Sequence, residues 1–405
     1  MSEHDIVVIG GARTPFGRFG GSLKDEDVYE LGAIAMREVV KRANVAPELV
    51  EEVFWGMGDN SSCKDVVTSI AARHSLLRAG LPPETNSCSL DKACVSGTSA
   101  IIYAMRGLKL GESKLSIAGG VQSFSQVPYV LRNTRFNKGI GPRTLEDPLF
   151  NAGYKDFNPV SVDAGNRAVE NGISREMQDQ WAVQSHARYG EALAAGKFEG
   201  EIIPYSCAVK RGEEPKFLAQ DEQYRPDVNY EKLSKLPTIY GSPTITAGNA
   251  PGLNDGSAAV MLTTRGYAQE LGIGEVLCTI VDSVSLCARP DCIADVPGWS
   301  ILKLLEKTGL TTEDIQLIEI NEAFAAMPLV SLKHVAQGDE EKLSRLYSIT
   351  NVNGGAIAVG HANCATGARL VMTLAHELKR RGGGYGIAAI CGGLAQGDAI
   401  LIRVD

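Results

Sequence analysis

Residues 94–120, CVSGTSAIIYAMRGLKLGESKLSIAGG, and residues 364–393, CATGARLVMTLAHELKRRGGGYGIAAICGG, read as one unit written twice. Each opens with Cys-x-x-Gly, continues with apolar residues at helical spacing and ends in an apolar run closed by Gly-Gly. Their offset is 270 residues (364 minus 94). A second pair behaves alike. VVKRANVAPELVEEVFWG (39–56) and LLEKTGLTTEDIQLIEIN (304–321) both read as a helix end, a turn and a strand, at an offset of 265 residues (304 minus 39). Val39 matches Leu304, Glu48 matches Glu313, Val50 matches Ile315 and Val53 matches Ile318. A loop absorbs the five-residue shift, and agreement of order, type and spacing in two separate blocks marks an internal duplication.

Working outward, each half alternates strands with helices. The first offers DIVVIGG, a helix around 28–42, VEEVFWG, the helix behind Cys94 and KLSIAGG. The second offers CTIVDSV, a helix around 298–308, IQLIEIN, a helix over 366–381 and GIAAICGG. This pattern predicts an α/β sheet in each half with helices on its faces. The region between, 121–245, is different in kind: it carries several prolines, a basic run and a helix capped by Ser174, and reads as an inserted lid or loop domain. The segment TAGNAPGLNDGSAAVML (246–262) returns as a turn and a strand to the first half. The expected domains are therefore 1–120 plus 246–270, the insertion 121–245, and 271–405.

The bulk numbers exclude several classes of function. With 405 residues, 44% hydrophobic and 22% charged, the chain is an ordinary globular composition of more than one domain. A net charge of −8 argues against nucleic-acid binding, which needs a basic surface. No stretch approaches the roughly 20 apolar residues of a membrane span. The start, MSEHDIVVIGGARTPFG, lacks the pattern of a signal peptide, and the end, LIRVD, carries no address, so a cytoplasmic protein with reduced thiols is expected. The nine cysteines show no C-x-x-C spacing, and no metal site is expected.

Four stretches, each at the end of a strand, carry candidate chemistry. Cys94 precedes a helix start, where the macrodipole is expected to favour the thiolate. Asn321 follows the strand in INEAFA (320–325); His361 sits in the small-residue loop NGGAIAVGHANCATG (353–367); Cys391 ends the strand in AAICGGLAQGD (388–398). Taken singly, a cysteine is commonly a small core residue, Asn321 a helix cap and His361 a hydrogen-bonded structural histidine. Together they form an acyl-transfer set: a nucleophile, a base, a second thiol able to shuttle a proton and Gly-rich turns that aim N–H groups at an oxyanion.

At this point the chain resembles the thiolase family over nearly its whole length. IVVIGGARTPFGRFGGSL, LDKACVSGTSA, GISREMQDQWAVQSH, GKFEGEIIP, TAGNAPGLNDGSAAV, INEAFA, GGAIAVGH and CGGLAQGDA follow in the family's order. The resemblance implies a five-layered αβαβα fold of two similar halves with a loop domain inserted in the first. It implies that Cys94 takes the acyl group as a thioester. His361 would activate Cys94 and, with a water held by Asn321, bind the thioester oxygen, while Cys391 would act as acid and base at the α-carbon. The backbone N–H groups of Cys94 and Gly393 would form a second oxyanion hole. Coenzyme A would be a co-substrate with no permanently bound cofactor, contacting Arg225, Ala250 and Pro251. A homodimer or dimer of dimers is implied as well.

Departures from the pattern cluster around the substrate tunnel. HANCATG stands where the family has His-Pro and a Gly-Ala-Ser-Gly run, so Ala362 replaces a proline. Pro251 replaces a serine, and VSVDAGN replaces a Met-Gly-x-Thr-Ala-Glu stretch. The catalytic positions are kept, which points to a thiolase with an unusual acyl group. Arg132, Arg135, Lys138 and Arg143 in YVLRNTRFNKGIGPR read either as a solvated or coenzyme-binding face or as the receiver of a substrate carboxylate. The departures resemble thiolases that cleave benzoylsuccinyl-CoA to benzoyl-CoA and succinyl-CoA, a group accompanied by a small zinc-binding subunit. The rival readings are an ordinary acetyl-CoA C-acetyltransferase, a ketoacyl-synthase-type condensing enzyme, an idle acyl-CoA-binding scaffold and a papain-like hydrolase. A ketoacyl synthase pairs its cysteine with two histidines, where this chain offers one candidate.

Overall fold

The apolar run at the start forms strand β1 (Ile6–Arg13), buried along its whole length. The computed structural model describes residues 2–59, 61–64, 70–136, 139–150, 154–207, 214 and 216–405. After β1 the first half continues with β2 (Gly17–Arg18), α1 (Val28–Ala43), β3 (Glu52–Gly56), α2 (Ala71–Arg78), β4 (Asn86–Leu90), α3 (Ser96–Leu110) and β5 (Leu115–Gln122). Between β5 and β8 lies the insertion, with α4 (Val160–Glu170), α5 (Arg175–Ala194), β6 (Tyr205–Cys207), β7 (Lys216–Leu218) and α6 (Tyr230–Ser234). Ser174 does cap α5, its hydroxyl accepting from the Met177 amide at 3.2 Å. Then come β8 (Asn254–Thr264) and α7 (Arg265–Glu270). The second half holds β9 (Cys278–Cys287), α8 (Val296–Thr308), β10 (Ile315–Ile320), α9 (Ala326–Ala336), α10 (Glu340–Ile349), α11 (Ala356–Val359), α12 (Thr366–Arg380), β11 (Gly384–Gly392) and β12 (Gln396–Val404).

The duplication seen in the residues recurs in the pairing. β5 runs parallel to β3 and antiparallel to β8; β11 runs parallel to β10 and antiparallel to β12. β4 lies parallel beside β3, and its counterpart is a single parallel bridge from Thr350 to Ile318. The halves join through β1 and β9, where Ile6–Val8 pairs antiparallel with Cys278–Ile280, so the strand order runs β10-β11-β12-β9-β1-β8-β5-β3-β4 with β2 on β8.

Helices α3 and α12 form the central layer. α3 packs on β3, β5 and β8 of its own half and on β9 and β12 of the other; α12 packs on β10, β11 and β12 and on β5 and β8. Outside them, α1 covers the first-half strands and α8 the second-half strands, which gives the five layers α-β-α-β-α. Three apolar clusters fill the interfaces, and the central one draws on Ile101, Val260, Leu370, Val371, Ile390 and Ile400. Each such side chain, fully buried, contributes about 1.5–3 kcal/mol.

The paired Cys-x-x-Gly motifs mark where the two central helices meet. A side-chain carbon on Gly97 would run into the Cys364 carbonyl, and one on Gly367 would run into the Thr98 amide. The same glycine in each half lets the opposite backbone in. Among the described residues no helix is long and apolar enough to cross a membrane.

Candidate active site

β4 ends at Leu90 and α3 begins at Ser96, and the residues between make a tight turn with Cys94 near its apex. The Asp91 carboxylate accepts from the Ala93 amide at 2.8 Å and draws Ala93 into the left-handed region at φ 51°. A Cβ there costs roughly 1–2 kcal/mol. Ser96 holds the turn from inside, its hydroxyl donating to the Ala93 carbonyl at 2.7 Å and accepting from the Lys92 amide at 2.8 Å. The Lys92 ammonium reaches Ser99 Oγ at 2.7 Å and Asp398 at 3.2 Å. Asp398, fully buried in β12, also accepts from Ser99 Oγ at 2.5 Å and Thr98 Oγ1 at 3.1 Å.

The expectation that the helix start favours a thiolate is overturned. Burial pushes the Cys94 thiol well above its ordinary range, and the negative charges that Cys391 and Asp91 can carry push it further. Cys94 also lies one residue outside the helix N-cap, Val95. A terminal dipole is worth about 0.3–1 kcal/mol, whereas full desolvation shifts a buried group by up to roughly 3–5 pH units. Desolvation wins, and the resting group is a thiol.

His361 follows α11 and is buried. Its amide donates to Asn254 Oδ1 at 2.9 Å, its Nδ1 meets Thr366 Oγ1 at 2.8 Å, and its Nε2 faces Asn321 Nδ2 at 3.5 Å. Burial, then the charge of Arg369, lowers the imidazole to about 3, so the ring is neutral. Asn321 is fully buried behind β10, and its Oδ1 has no partner among the described residues. Its neighbour Glu322 fixes this loop: the buried carboxylate accepts from Trp181 Nε1 and Ser185 Oγ of α5 at 2.8 Å each, and from Asn351 Nδ2 at 2.9 Å. The loop after His361 reaches the nucleophile turn through Cys364, whose thiol donates to the Ala93 carbonyl at 3.4 Å.

Cys391 is buried at the end of β11, and burial pushes its thiol up to about 12. The next residue, Gly392, packs its Cα against the Lys92 carbonyl and Val95, which brings this strand end against the Cys94 turn. Leu394 and Ala395, at φ 59° and 55°, then reverse the chain into β12. Cys94, His361, Asn321, Cys391 and Gly393 therefore converge where β4, β10 and β11 end.

Ala250 and Pro251 lie in the loop that enters β8, and that loop meets His361 through a parallel bridge from Leu253. Arg225 is exposed; its amide donates to His186 Nδ1 at 3.3 Å, and burial with the Arg225 charge lowers His186 to about 4. In the basic run, Arg132 is ion-paired with Glu146 at 2.5 Å on the surface; Lys138 lies outside the described residues.

Sequence reasoning missed Thr366, Asn254, Lys92, Asp398 and Tyr154. The first four sit inside the quoted motifs, where their polar side chains are the signal that could have found them. Tyr154 had no such signal: it lies far from every motif, yet its phenol rests on Gly393, and burial pushes the phenol above its ordinary range.

Comparison with known proteins agrees with this fold. The family descriptions "Thiolase, N-terminal domain" and "Thiolase, C-terminal domain" match residues 6–266 and 275–404. A probable acetyl-CoA acetyltransferase of Mycolicibacterium smegmatis is 37% identical, over 98% of this chain and 100% of the relative. The crystal structure of human mitochondrial 3-ketoacyl-CoA thiolase superposes with a TM-score of 0.91 at 35% identity, covering 100% of both chains. The structure of that human enzyme in complex with CoA gives 0.90 at 35% identity, over 100% of this chain and 98% of that one. The chain belongs to the thiolase family of acyltransferases.

Proposed function

We propose that the protein cleaves a 3-oxoacyl-CoA with coenzyme A, or runs the reverse condensation, through an acyl thioester on Cys94. The observation that carries this reading is the convergence of a half-buried thiol, Cys94, a buried thiol, Cys391, and a neutral buried imidazole at one sheet end. In the cleavage direction His361 takes the Cys94 proton as the sulfur attacks the ketone carbon. The bond between the α-carbon and that carbon breaks, and its electrons pass to an enolate of the departing thioester. Cys391 gives the α-carbon a proton. Cys391, now a thiolate, takes the proton of the coenzyme A thiol as that sulfur attacks the acyl thioester, and Cys94 leaves as thiol with the proton returned by His361. Because both thiols are held far above neutral pH, each proton must move in step with the bond it serves. Asn321 and the N–H groups of Cys94 and Gly393 supply donors fixed in advance for the developing oxyanions.

Coenzyme A is the co-substrate, and its contacts are assigned to Arg225, Ala250 and Pro251. A human relative solved in complex with CoA supports coenzyme A as the co-substrate. The acyl group we assign is aryl or dicarboxylic, benzoylsuccinyl-CoA being the example, on the strength of the tunnel departures at Ala362, Pro251 and 160–166. A small zinc-binding subunit would accompany that substrate. The second reading, an ordinary acetyl-CoA C-acetyltransferase, is favoured by the name of the mycobacterial relative. Intact-protein mass spectrometry after brief exposure to a 3-oxoacyl-CoA tests the chemistry: an acyl adduct is expected on the wild type and absent from Cys94→Ala. No adduct with any acyl-CoA would sink it. Faster turnover of acetoacetyl-CoA than of an aryl 3-oxoacyl-CoA would decide for the second reading.

A further inference from the structure

Tyr154 stands in the insertion, far in sequence from the catalytic motifs, yet its side chain closes over them. Its carbonyl accepts from the Phe157 amide at 3.0 Å, a turn in which Asp156 takes φ 71°. That turn sets the ring across the glycines after Cys391. A side-chain carbon on Gly393 would fall on the Tyr154 hydroxyl, so the phenol oxygen lies directly against the Gly393 backbone. The side chain keeps 38% exposure and thus spans from solvent to the site. Its hydroxyl makes no hydrogen bond to protein among the described residues. Burial holds the phenol protonated, so it is available as a donor.

A donor without a protein acceptor among the described residues, set beside a residue assigned to the oxyanion hole, is open to an oxygen of the ligand. We propose that Tyr154 is a specificity-determining residue of the acyl site, its ring walling the space over Gly393 and its hydroxyl donating to an oxygen of the acyl group. This rests on the assignment of the acyl site to Cys94. A site built to hydrogen-bond an oxygen discriminates against ligands that lack one, because the polar group is then left unpaired. Free coenzyme A, which carries no acyl oxygen, is not expected to sense Tyr154.

The test is calorimetric titration of wild type and Tyr154→Phe with benzoyl-CoA and with free coenzyme A. The phenylalanine keeps the ring and the fold. Affinity for benzoyl-CoA is expected to fall about tenfold while that for coenzyme A changes less than twofold. Equal changes for both ligands, no change for either, or no binding of benzoyl-CoA to the wild type would each overturn the assignment. Adduct formation on Cys94, measured on the same preparations, reports separately on the parent reading: selective weakening without any adduct would leave the Tyr154 contact standing and remove the thioester chemistry.

Discussion

Lys92 and Asp398 stand 306 residues apart in the chain and meet at 3.2 Å beneath the nucleophile turn. The pair fastens the turn of the first half to the last strand of the second. Asp398 is fully buried and accepts three hydrogen bonds, whereas Lys92 keeps partial exposure.

Asp398→Ala is expected to lower unfolding stability by roughly 3–5 kcal/mol, because the change strands a partly buried ammonium and two hydroxyls. Asp398→Asn, which keeps an acceptor, should lose about half of that. Urea unfolding of the three proteins gives the comparison; equal stability of Asp398→Ala and wild type would show that the contact does not carry the turn.

Ala93 holds a positive φ without being glycine. Ala93→Gly should therefore be neutral or stabilising by up to about 1 kcal/mol. Ala93→Val, β-branched at the same φ, should destabilise and slow acylation of Cys94. Thermal unfolding with a time course of adduct formation reads both, and a stabilised valine variant would contradict the strain.

His361 and His186 are lowered from 6.5 to about 3 and about 4. Between pH 6.5 and those values the unfolded chain binds protons that the folded chain refuses, so this stability is complete above pH 6.5 and is lost as the pH falls through the window. Denaturant midpoints at pH 7.5, 6 and 5 should decline in that order, and His361→Asn should flatten the decline. The activity profile should show no acid limb at the ordinary imidazole pH, since His361 stays neutral there. An acid limb near pH 6.5 in the wild-type activity profile would contradict the burial argument.

Cys391→Ser is expected to leave acylation of Cys94 by an acyl-CoA intact while lowering carbon–carbon cleavage by about 10²–10⁴. Mass spectrometry follows the first and steady-state turnover the second. Turnover at the wild-type rate would remove Cys391 from the proton path.

The duplicated frame was legible because helical spacing and Gly-Gly strand ends are local signals, and they recur at nearly fixed offsets. Cys94, Asn321, His361 and Cys391 were legible as strand-end residues of reactive type. Three properties were not. The direction of the Cys94 shift depends on how much protein surrounds the thiol, which the order of residues does not state. The orientation of His361 depends on Thr366, a hydroxyl that reads from sequence as one more small residue of the loop. Tyr154 reaches the site only because the insertion folds back over Gly393, a long-range contact with no periodic signature.

The crossing of α3 and α12 at Gly97 and Gly367 has a consequence for how the molecule holds together. Cys364 opens the second motif as Cys94 opens the first, but one thiol is a nucleophile candidate and the other a strut on the Ala93 carbonyl. The two halves thus divide their labour, the first bringing Cys94 and the second His361, Asn321 and Cys391. Each central helix also leans on strands from both sides. Cut between 266 and 275, each fragment would expose the face of its central helix that packs on the other half, and neither would hold the complete set of reacting groups. That seam records ancestry, and the candidate active site is assembled across it.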